Sequence, residues 1–291
     1  MKFPGSFSII SDEVSQQIGE VARFVRRFGL SGFELRSLNG RAFKDLTRDD
    51  LTSVATLCRG EGWKIHGCAT PVFKCALDDA AAIREHEDIF KRSLEAALVL
   101  ECNLVRVFSF LRRPGVPDAA TLECIAAHLR RLGELAAGTG VRIGLENESS
   151  CIIGAGDELL RILPLLPVES FGAIWDPCNV LYVPEAGLPV TWPFAQLLPR
   201  IVHIHVKDAV RRAPTPMPVP VGLGKVGWGR HLREIARAGY TGLLSLETHW
   251  RVQRIDDALL HLPAGHTFSR GGEEASAVCL GNLRALCEVI A

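Results

Sequence analysis

Short apolar stretches alternate with stretches of helical periodicity along the whole chain. The apolar stretches are rich in β-branched, aromatic and leucine residues, which is typical of buried strands. We predict eight strands, over residues 7–14, 32–37, 63–69, 104–110, 142–148, 171–177, 201–208 and 242–250. Apolar positions at helical spacing predict helices near residues 16–28, 48–60, 82–100, 118–138, 157–166, 192–199, 229–238 and 273–290.

Eight strand–helix units without an intervening linker predict an α/β fold, the (β/α)8 TIM barrel. Glycines stand where four of the helices would end, at Gly29, Gly62, Gly140 and Gly239. A doubly wound open sheet is the alternative, but a glycine-rich phosphate-binding turn normally follows its first strand. The segment Ser11-Asp12-Glu13 is not such a turn. We expect residues 1–291 to form a single domain.

Composition narrows the possible partners. The chain has 291 residues, of which 47% are hydrophobic and 23% charged, a composition that excludes a disordered chain. Lys and Arg number 33 and Asp and Glu also 33, so there is no basic excess to favour a nucleic-acid partner. The nine cysteines include no Cys-x-x-Cys motif. Neither a signal peptide nor an apolar run long enough for a membrane span is evident, so we expect a cytoplasmic protein without a membrane partner.

Ionisable side chains follow the apolar runs of four consecutive predicted strands, the fifth to the eighth. They are Glu146, Asp176, a choice between His203 and His205, and Glu247. Because the carboxyl ends of barrel strands meet on one face, we expect these groups to converge. Three carboxylates and one imidazole suit a divalent ion such as Mn²⁺, Mg²⁺, Co²⁺ or Zn²⁺. The alternative is a set of solvated charges in local salt bridges.

The ordered motifs resemble the xylose-isomerase-like barrel superfamily, in particular its sugar phosphate isomerase/epimerase branch. The resemblance covers nearly the whole chain and is carried by residues 11–13, 32–36, 105–110, 145–148, 175–179, 203–208 and 246–250. It implies one divalent metal ion held by Glu146, Asp176, His205 and Glu247. His205 is preferred over His203, which faces the same way, because of its place in the His-x-Lys-Asp motif.

The resemblance also implies that Glu146 and Glu247 are catalytic. One would remove a proton from the carbon next to a carbonyl, and the other would return a proton. A divalent ion would stabilise the negative charge that develops. Return to the same carbon gives epimerisation, return to the adjacent carbon gives isomerisation, and loss of a β-hydroxyl gives dehydration.

We therefore expect a metal-dependent isomerase or epimerase of a sugar or keto-polyol. A lyase or dehydratase acting on a keto-sugar or keto-inositol is the alternative. An abasic-site endonuclease and a non-catalytic binding module are the remaining hypotheses. The expected partner is a small-molecule carbohydrate and not a nucleic acid, and the sequence leaves a homo-oligomer open.

Six further residues are predicted to contact the substrate. Arg211 is chosen because it lies six residues beyond His205, as does a substrate-contacting arginine in sugar epimerases of this superfamily. The six are His66, Arg106, Asn179, Lys207, Asp208 and Arg211. Ordinary ion pairs, a buried structural histidine and surface solvation are the competing interpretations.

Two positions depart from the family pattern. Asn179 stands where sugar epimerases and repair endonucleases typically carry a histidine, and Ile152 stands where ketose 3-epimerases carry a glutamate. Both departures weaken an assignment to free-ketose 3-epimerisation. Two Pro- or Gly-rich loops, over residues 214–224 and 264–272, follow the last two strands and would overhang the carboxyl face.

Overall fold

Eight parallel strands form a nearly closed barrel, which confirms the predicted α/β TIM-barrel fold. The computed structural model describes residues 5–183, 192–212, 215–253 and 269–290. Strands β1 to β8 are Ser6–Ile9, Gly32–Leu35, Lys64–Cys68, Leu104–Val107, Arg142–Glu146, Phe171–Trp175, Ile201–Val206 and Leu243–Leu246. Hydrogen bonds join the strands in the order β1-β8-β7-β6-β5-β4-β3-β2, and an isolated parallel bridge between Ile10 and Glu34 brings β1 against β2.

All eight predicted helices are present. Helices α1 to α8 are Ile18–Arg27, Arg48–Glu61, Ala80–Val99, Ala119–Ala136, Gly156–Ile162, Trp192–Leu197, Trp228–Arg237 and Gly272–Ile290. Helices α5 and α6 are shorter than predicted because each runs into a proline-containing 3₁₀ turn, Leu163–Leu165 and Leu198–Arg200. Proline cannot donate the hydrogen bond that would continue the α-helix. Within the described residues, no helix is both long and apolar enough to cross a bilayer.

The alternation of side chains along the strands separates the core from the interior polar groups. In β2, Phe33 and Leu35 belong to the apolar core, whereas Glu34 contacts His203 of β7 across the barrel. All three β2 side chains are buried. Because successive side chains point to opposite faces of a strand, one short strand serves both the packing layer and the interior.

The predicted strands are too long at their carboxyl ends. The first ends at Ile9, and Ser11–Glu13 forms a 3₁₀ turn instead of a strand. The last ends at Leu246, although Glu247 and Thr248 are buried too. At both strands burial continues past the last strand hydrogen bond, so the sequence pattern does not mark where the strand stops.

Two short antiparallel hairpins lie outside the barrel. Ser37–Leu38 pairs with Arg41–Ala42, and Asp208–Val210 pairs with Met217–Val219. The second hairpin corrects two predictions. The strand predicted over residues 201–208 ends at Val206, and part of the proline-rich loop predicted over residues 214–224 is a strand. Residues 213–214 and 254–268, which include parts of both predicted loops, lie outside the described residues.

Candidate metal centre

Four ionisable side chains meet at the carboxyl ends of β5 to β8. Glu146 is the last residue of β5, Asp176 follows β6 directly, His205 is the penultimate residue of β7, and Glu247 follows β8 directly. All four are buried, and one nitrogen or oxygen atom of each lies within 4.8 Å of those of the others. The structure thus brings together the four residues that the sequence suggested as metal ligands.

The chemistry of this cluster fits a divalent cation. Two buried carboxylate oxygens, Glu146 Oε2 and Asp176 Oδ2, form no hydrogen bond among the described residues. Each of them contacts a cation instead. Glu146 Oε2 lies 3.1 Å from a guanidinium nitrogen of Arg106, and Asp176 Oδ2 lies 2.7 Å from Lys207 Nζ. Buried carboxylate oxygens need a positive partner, and three carboxylates with one imidazole suit a hard or borderline divalent ion.

The His205 ring lies between two glutamates. Its Nδ1 is 3.0 Å from Glu146 Oε1 and its Nε2 is 3.3 Å from Glu34 Oε2. Burial lowers the pKa of His205, but Glu146 and Glu34 outweigh burial and raise the pKa well above its ordinary value. The neighbouring His203 instead contacts Glu34 Oε1 through Nε2 at 2.8 Å. Of the two histidines, His205 is the one in the four-residue cluster.

Lys207 bridges two of the four side chains. Its Nζ is 2.7 Å from Asp176 Oδ2 and 2.8 Å from Glu247 Oε2. Burial lowers the pKa of this lysine, but the two carboxylates reverse the effect and raise the pKa well above its ordinary value, so the amine is an ammonium. Burial raises the pKa of Asp176 to about 6 despite the attraction of Lys207.

Asp176 and Glu247 are held differently by their surroundings. The other Asp176 oxygen, Oδ1, accepts hydrogen bonds from the N–H groups of Cys178 and Asn179. Glu247 Oε1 instead accepts a hydrogen bond of 2.6 Å from Arg36. Burial raises the pKa of Glu247, but Lys207 and further cationic neighbours, among them Arg36, outweigh it and hold the pKa well below its usual range. Glu247 is therefore ionised.

Three of the predicted substrate-contacting residues lie against the cluster. Besides Lys207, Arg106 pairs with Glu146 and also donates to the carbonyl oxygen of Thr70. Asn179 is buried, and its Nδ2 donates to the carbonyl oxygen of Asn147. The contacts of Arg106 and Asn179 thus position the residues around the centre.

The other three predicted substrate-contacting residues, His66, Asp208 and Arg211, lie outside the four-residue cluster. His66 lies in the middle of β3, away from the carboxyl ends of the strands, and its ring contacts Ser8 and Ser31. It lines a cavity of about 360 Å³ with residues from the starts of β3 and β8, such as Lys64 and Leu243. Burial lowers the pKa of His66 to about 4, so its imidazole is neutral at pH 7.

Asp208 and Arg211 belong to the loops that follow β7. The Asp208 carboxylate accepts four backbone N–H groups, which come from residues 209, 222, 224 and 226. A Cβ on Gly224 would lie 2.0 Å from Asp208 Oδ1, so glycine is needed for this close approach. Arg211 follows the hairpin strand Asp208–Val210 and is exposed. Asp208 therefore organises a loop.

Three residues that sequence reasoning did not assign to the site contact it directly. Arg36 bridges Glu247 to Asp12 and Glu13, Glu34 contacts His205, and Asn147 binds the backbone of Asp176. All three lie in segments that carry the family resemblance, 32–36 and 145–148, but nothing in those segments indicates their contacts with the cluster. The arrangement gathers negative charge around His205 and balances it with fixed cations, which suits a site that binds a metal ion and moves protons.

Comparison with known proteins agrees with this architecture. The sequence matches the xylose isomerase-like TIM barrel family over residues 22–276. The chain belongs to that family. A comparison with curated protein sequences gave no match.

Solved structures of low sequence identity share the fold across the chain. The IolI protein with a bound zinc atom has a TM-score of 0.76 at 15% identity, covering 98% of this chain and 99% of its own. D-allulose 3-epimerase from Methylomonas sp. has a TM-score of 0.72 at 15% identity, covering 98% of this chain and 100% of its own. The probable 3-DHS dehydratase AsbF from Bacillus anthracis has a TM-score of 0.70 at 16% identity, covering 94% and 98%.

Proposed function

We propose that this chain is a divalent-metal-dependent isomerase or epimerase of an uncharged sugar or keto-polyol. The observation that carries the proposal is the placement of Glu146 and Glu247. They come from the first and last of four adjacent barrel strands and approach the same His205 nitrogen, at 3.0 and 3.7 Å. Two carboxylates that flank one centre can exchange protons with a substrate from two directions.

Glu146, Asp176, His205 and Glu247 would hold the ion, whose chemistry when bound is to stabilise negative charge on substrate oxygens. One glutamate accepts the proton from the carbon beside the carbonyl, and the other donates a proton back. Return to the opposite face of the same carbon inverts its configuration, whereas return to the neighbouring carbon exchanges ketose and aldose. Arg106 and Lys207 would fix these carboxylates in position through the ion pairs described above.

The charge around the centre favours a neutral substrate. Among the described residues, Arg36, Arg106 and Lys207 contact carboxylates of the cluster, each within 4 Å of a carboxylate oxygen. Lys74 and Arg251 pair with the nearby Glu148 and Glu13, also within 4 Å. Because each already pairs with a carboxylate, a phosphate or carboxylate group on the substrate would have to displace an existing ion pair.

The structural likenesses support the class of chemistry. One neighbour is described as binding zinc, one as a sugar 3-epimerase and one as a probable dehydratase. The likeness to the dehydratase supports a second candidate reaction, the loss of a hydroxyl group β to the carbonyl. In such a reaction one carboxylate would remove the same proton while the other protonates the departing hydroxyl.

The proposal is tested with metal-reconstituted protein and a panel of neutral ketoses, keto-inositols and their phosphorylated counterparts in deuterated water. We expect about one equivalent of divalent metal per chain, lost in His205→Ala, and deuterium next to the carbonyl of a neutral compound. The control is Ser8→Ala, which removes the buried hydrogen bond between Ser8 and His66. It should keep both the bound metal and the deuterium uptake.

The outcomes separate the alternatives. A rise in enone absorbance, without deuterated isomer, would replace isomerisation with dehydration. Cleavage of abasic-site DNA would point to the endonuclease. Failure to bind metal after reconstitution, together with no deuterium uptake, would overturn the proposed activity and leave the non-catalytic binding module.

A further inference from the structure

Glu34 stands behind the proposed metal centre, on the far side of the His205 ring. His205 Nδ1 faces the cluster, at 3.0 Å from Glu146 Oε1, whereas Nε2 is 3.3 Å from Glu34 Oε2. Both residues are buried. An imidazole that binds a cation through one nitrogen must carry its proton on the other, and that proton needs an acceptor.

Glu34 is itself held in place from two directions. Its other oxygen, Oε1, is 2.8 Å from Nε2 of the buried His203. On β3, Gly67 is the backbone partner of Glu34, and a Cβ at Gly67 would lie 3.0 Å from Glu34 Oε2 and 3.3 Å from its Cγ. Glycine at this position therefore makes the space in which the carboxylate reaches His205.

We propose that Glu34 is a positioning residue that holds His205 with Nδ1 toward the metal and Nε2–H donated to the Glu34 carboxylate. His203 donates to the second oxygen and keeps the carboxylate aligned. The array His203–Glu34–His205 thereby sets the direction of the imidazole and strengthens it as a ligand. The inference rests on the proposed metal centre, but it concerns metal affinity and ring orientation instead of the reaction.

The first test is the metal affinity of Glu34→Gln, measured by competition with a chromogenic chelator for Zn²⁺ and for Mn²⁺. Glutamine keeps the shape of the side chain, but its neutral amide oxygen accepts the imidazole N–H more weakly than a carboxylate does. We expect the affinity to fall about 10- to 100-fold. Ser8→Ala, which removes another buried hydrogen bond of the barrel interior, should bind metal within about twofold of the wild type.

A second variant tests the geometry without removing any polar group. Gly67→Ala places a methyl group against Glu34 Oε2 and Cγ, so we expect a loss of at least about threefold in metal affinity. NMR of isotope-labelled histidine in the zinc-loaded wild type should show a strongly deshielded Nε2 proton on His205. In Glu34→Gln this signal should move or disappear, which a purely structural role would not cause.

The results distinguish this inference from the proposed function. If the wild type binds no metal, the metal centre fails and the inference with it. If the wild type binds metal and Glu34→Gln and Gly67→Ala bind it equally well, only the inference fails. A stoichiometry of two ions, with one lost in Glu34→Gln, would also overturn it, because Glu34, His203 and His205 would then be ligands of a second ion.

Discussion

Asn147 fixes the backbone of Asp176 through two hydrogen bonds. Its Nδ2 donates to the carbonyl oxygen of Asp176 and its Oδ1 accepts from the Asp176 N–H, both at 2.8 Å. The same Nδ2 donates to the carbonyl oxygen of Gly154 at 3.1 Å. Because Asn147 directly follows Glu146, this amide sets the spacing between two of the proposed ligands.

Replacement of Asn147 by Asp should destabilise the fold. The variant would present a carboxylate oxygen to two buried carbonyl oxygens that now receive N–H groups. We expect a loss of about 3 kcal/mol in the free energy of unfolding, since each unpaired buried polar group costs about 1–3 kcal/mol. Urea denaturation checks this, with Asn282→Ala, which loses a single bond to Val221, as the control. A variant within experimental error of the wild type would contradict this role.

Glu146→Gln and Glu247→Gln should each abolish turnover. Loss of one proton-transferring carboxylate is expected to lower kcat by about 10²- to 10⁴-fold. The rate of deuterium uptake into the substrate identified in the screen measures this effect, with bound metal quantified in each sample. Glu158→Gln is the matched control, because Glu158 is also buried but pairs with Arg112. Near-normal turnover at full metal load would refute the two-carboxylate mechanism.

Lys207→Met should destabilise the protein most when metal is removed. The substitution leaves Asp176 and Glu247 without the ammonium that bridges them, and breaking a buried ion pair in this way costs about 3–5 kcal/mol. Unfolding is measured with a chelator and with excess divalent metal, and we expect a smaller deficit with metal because the ion neutralises the same carboxylates. Lys44→Met, a surface control, removes an exposed pair with Asp45. Equal stability of Lys207→Met and wild type in chelator would contradict the prediction.

His231 should make the stability of the fold depend on pH. Burial lowers the pKa of this imidazole to about 3, so the folded protein keeps it neutral while the unfolded chain binds a proton below about pH 6.5. Its contribution is therefore complete above that pH and declines as the pH falls toward 3, by up to about 1.4 kcal/mol per pH unit. His231→Phe, which keeps a ring beside Phe194, should flatten this dependence between pH 6 and 4 in denaturation experiments. If the free energies of unfolding of the wild type and of His231→Phe fall in parallel as the pH falls, His231 is not the source of this pH dependence.

The helices and the meeting of three of the four side chains could be predicted from local features. Thr47 caps the start of α2 and Gly62 adopts the left-handed conformation at its end, and both signals are visible in the sequence. Glu146, Asp176 and Glu247 stand at the carboxyl ends of predicted strands, which suffices to bring them together. Alternation leaves His203 and His205 on the same face, and the choice of His205 came from the family resemblance.

The surroundings of the cluster could not be predicted in this way. Arg36 and Glu247 are 211 residues apart, and Asn147 and Asp176 are 29 apart, so no periodic pattern links them. Asp208 looked like a polar group at a strand end, but its four hydrogen-bond donors belong to a loop whose backbone path is a tertiary property. His66 lies in the middle of β3, away from the carboxyl ends where the cluster forms, as its position within the predicted strand 63–69 already implied.

The barrel closes where its first and second strands meet, at the isolated bridge between Ile10 and Glu34. By contrast, β1 and β8 pair through four residues. The residue that closes the ring through its backbone is thus the one whose carboxylate contacts His205. Local opening of this seam would withdraw Glu34 from the imidazole, so we expect amide exchange along β2 to slow when a divalent ion is bound.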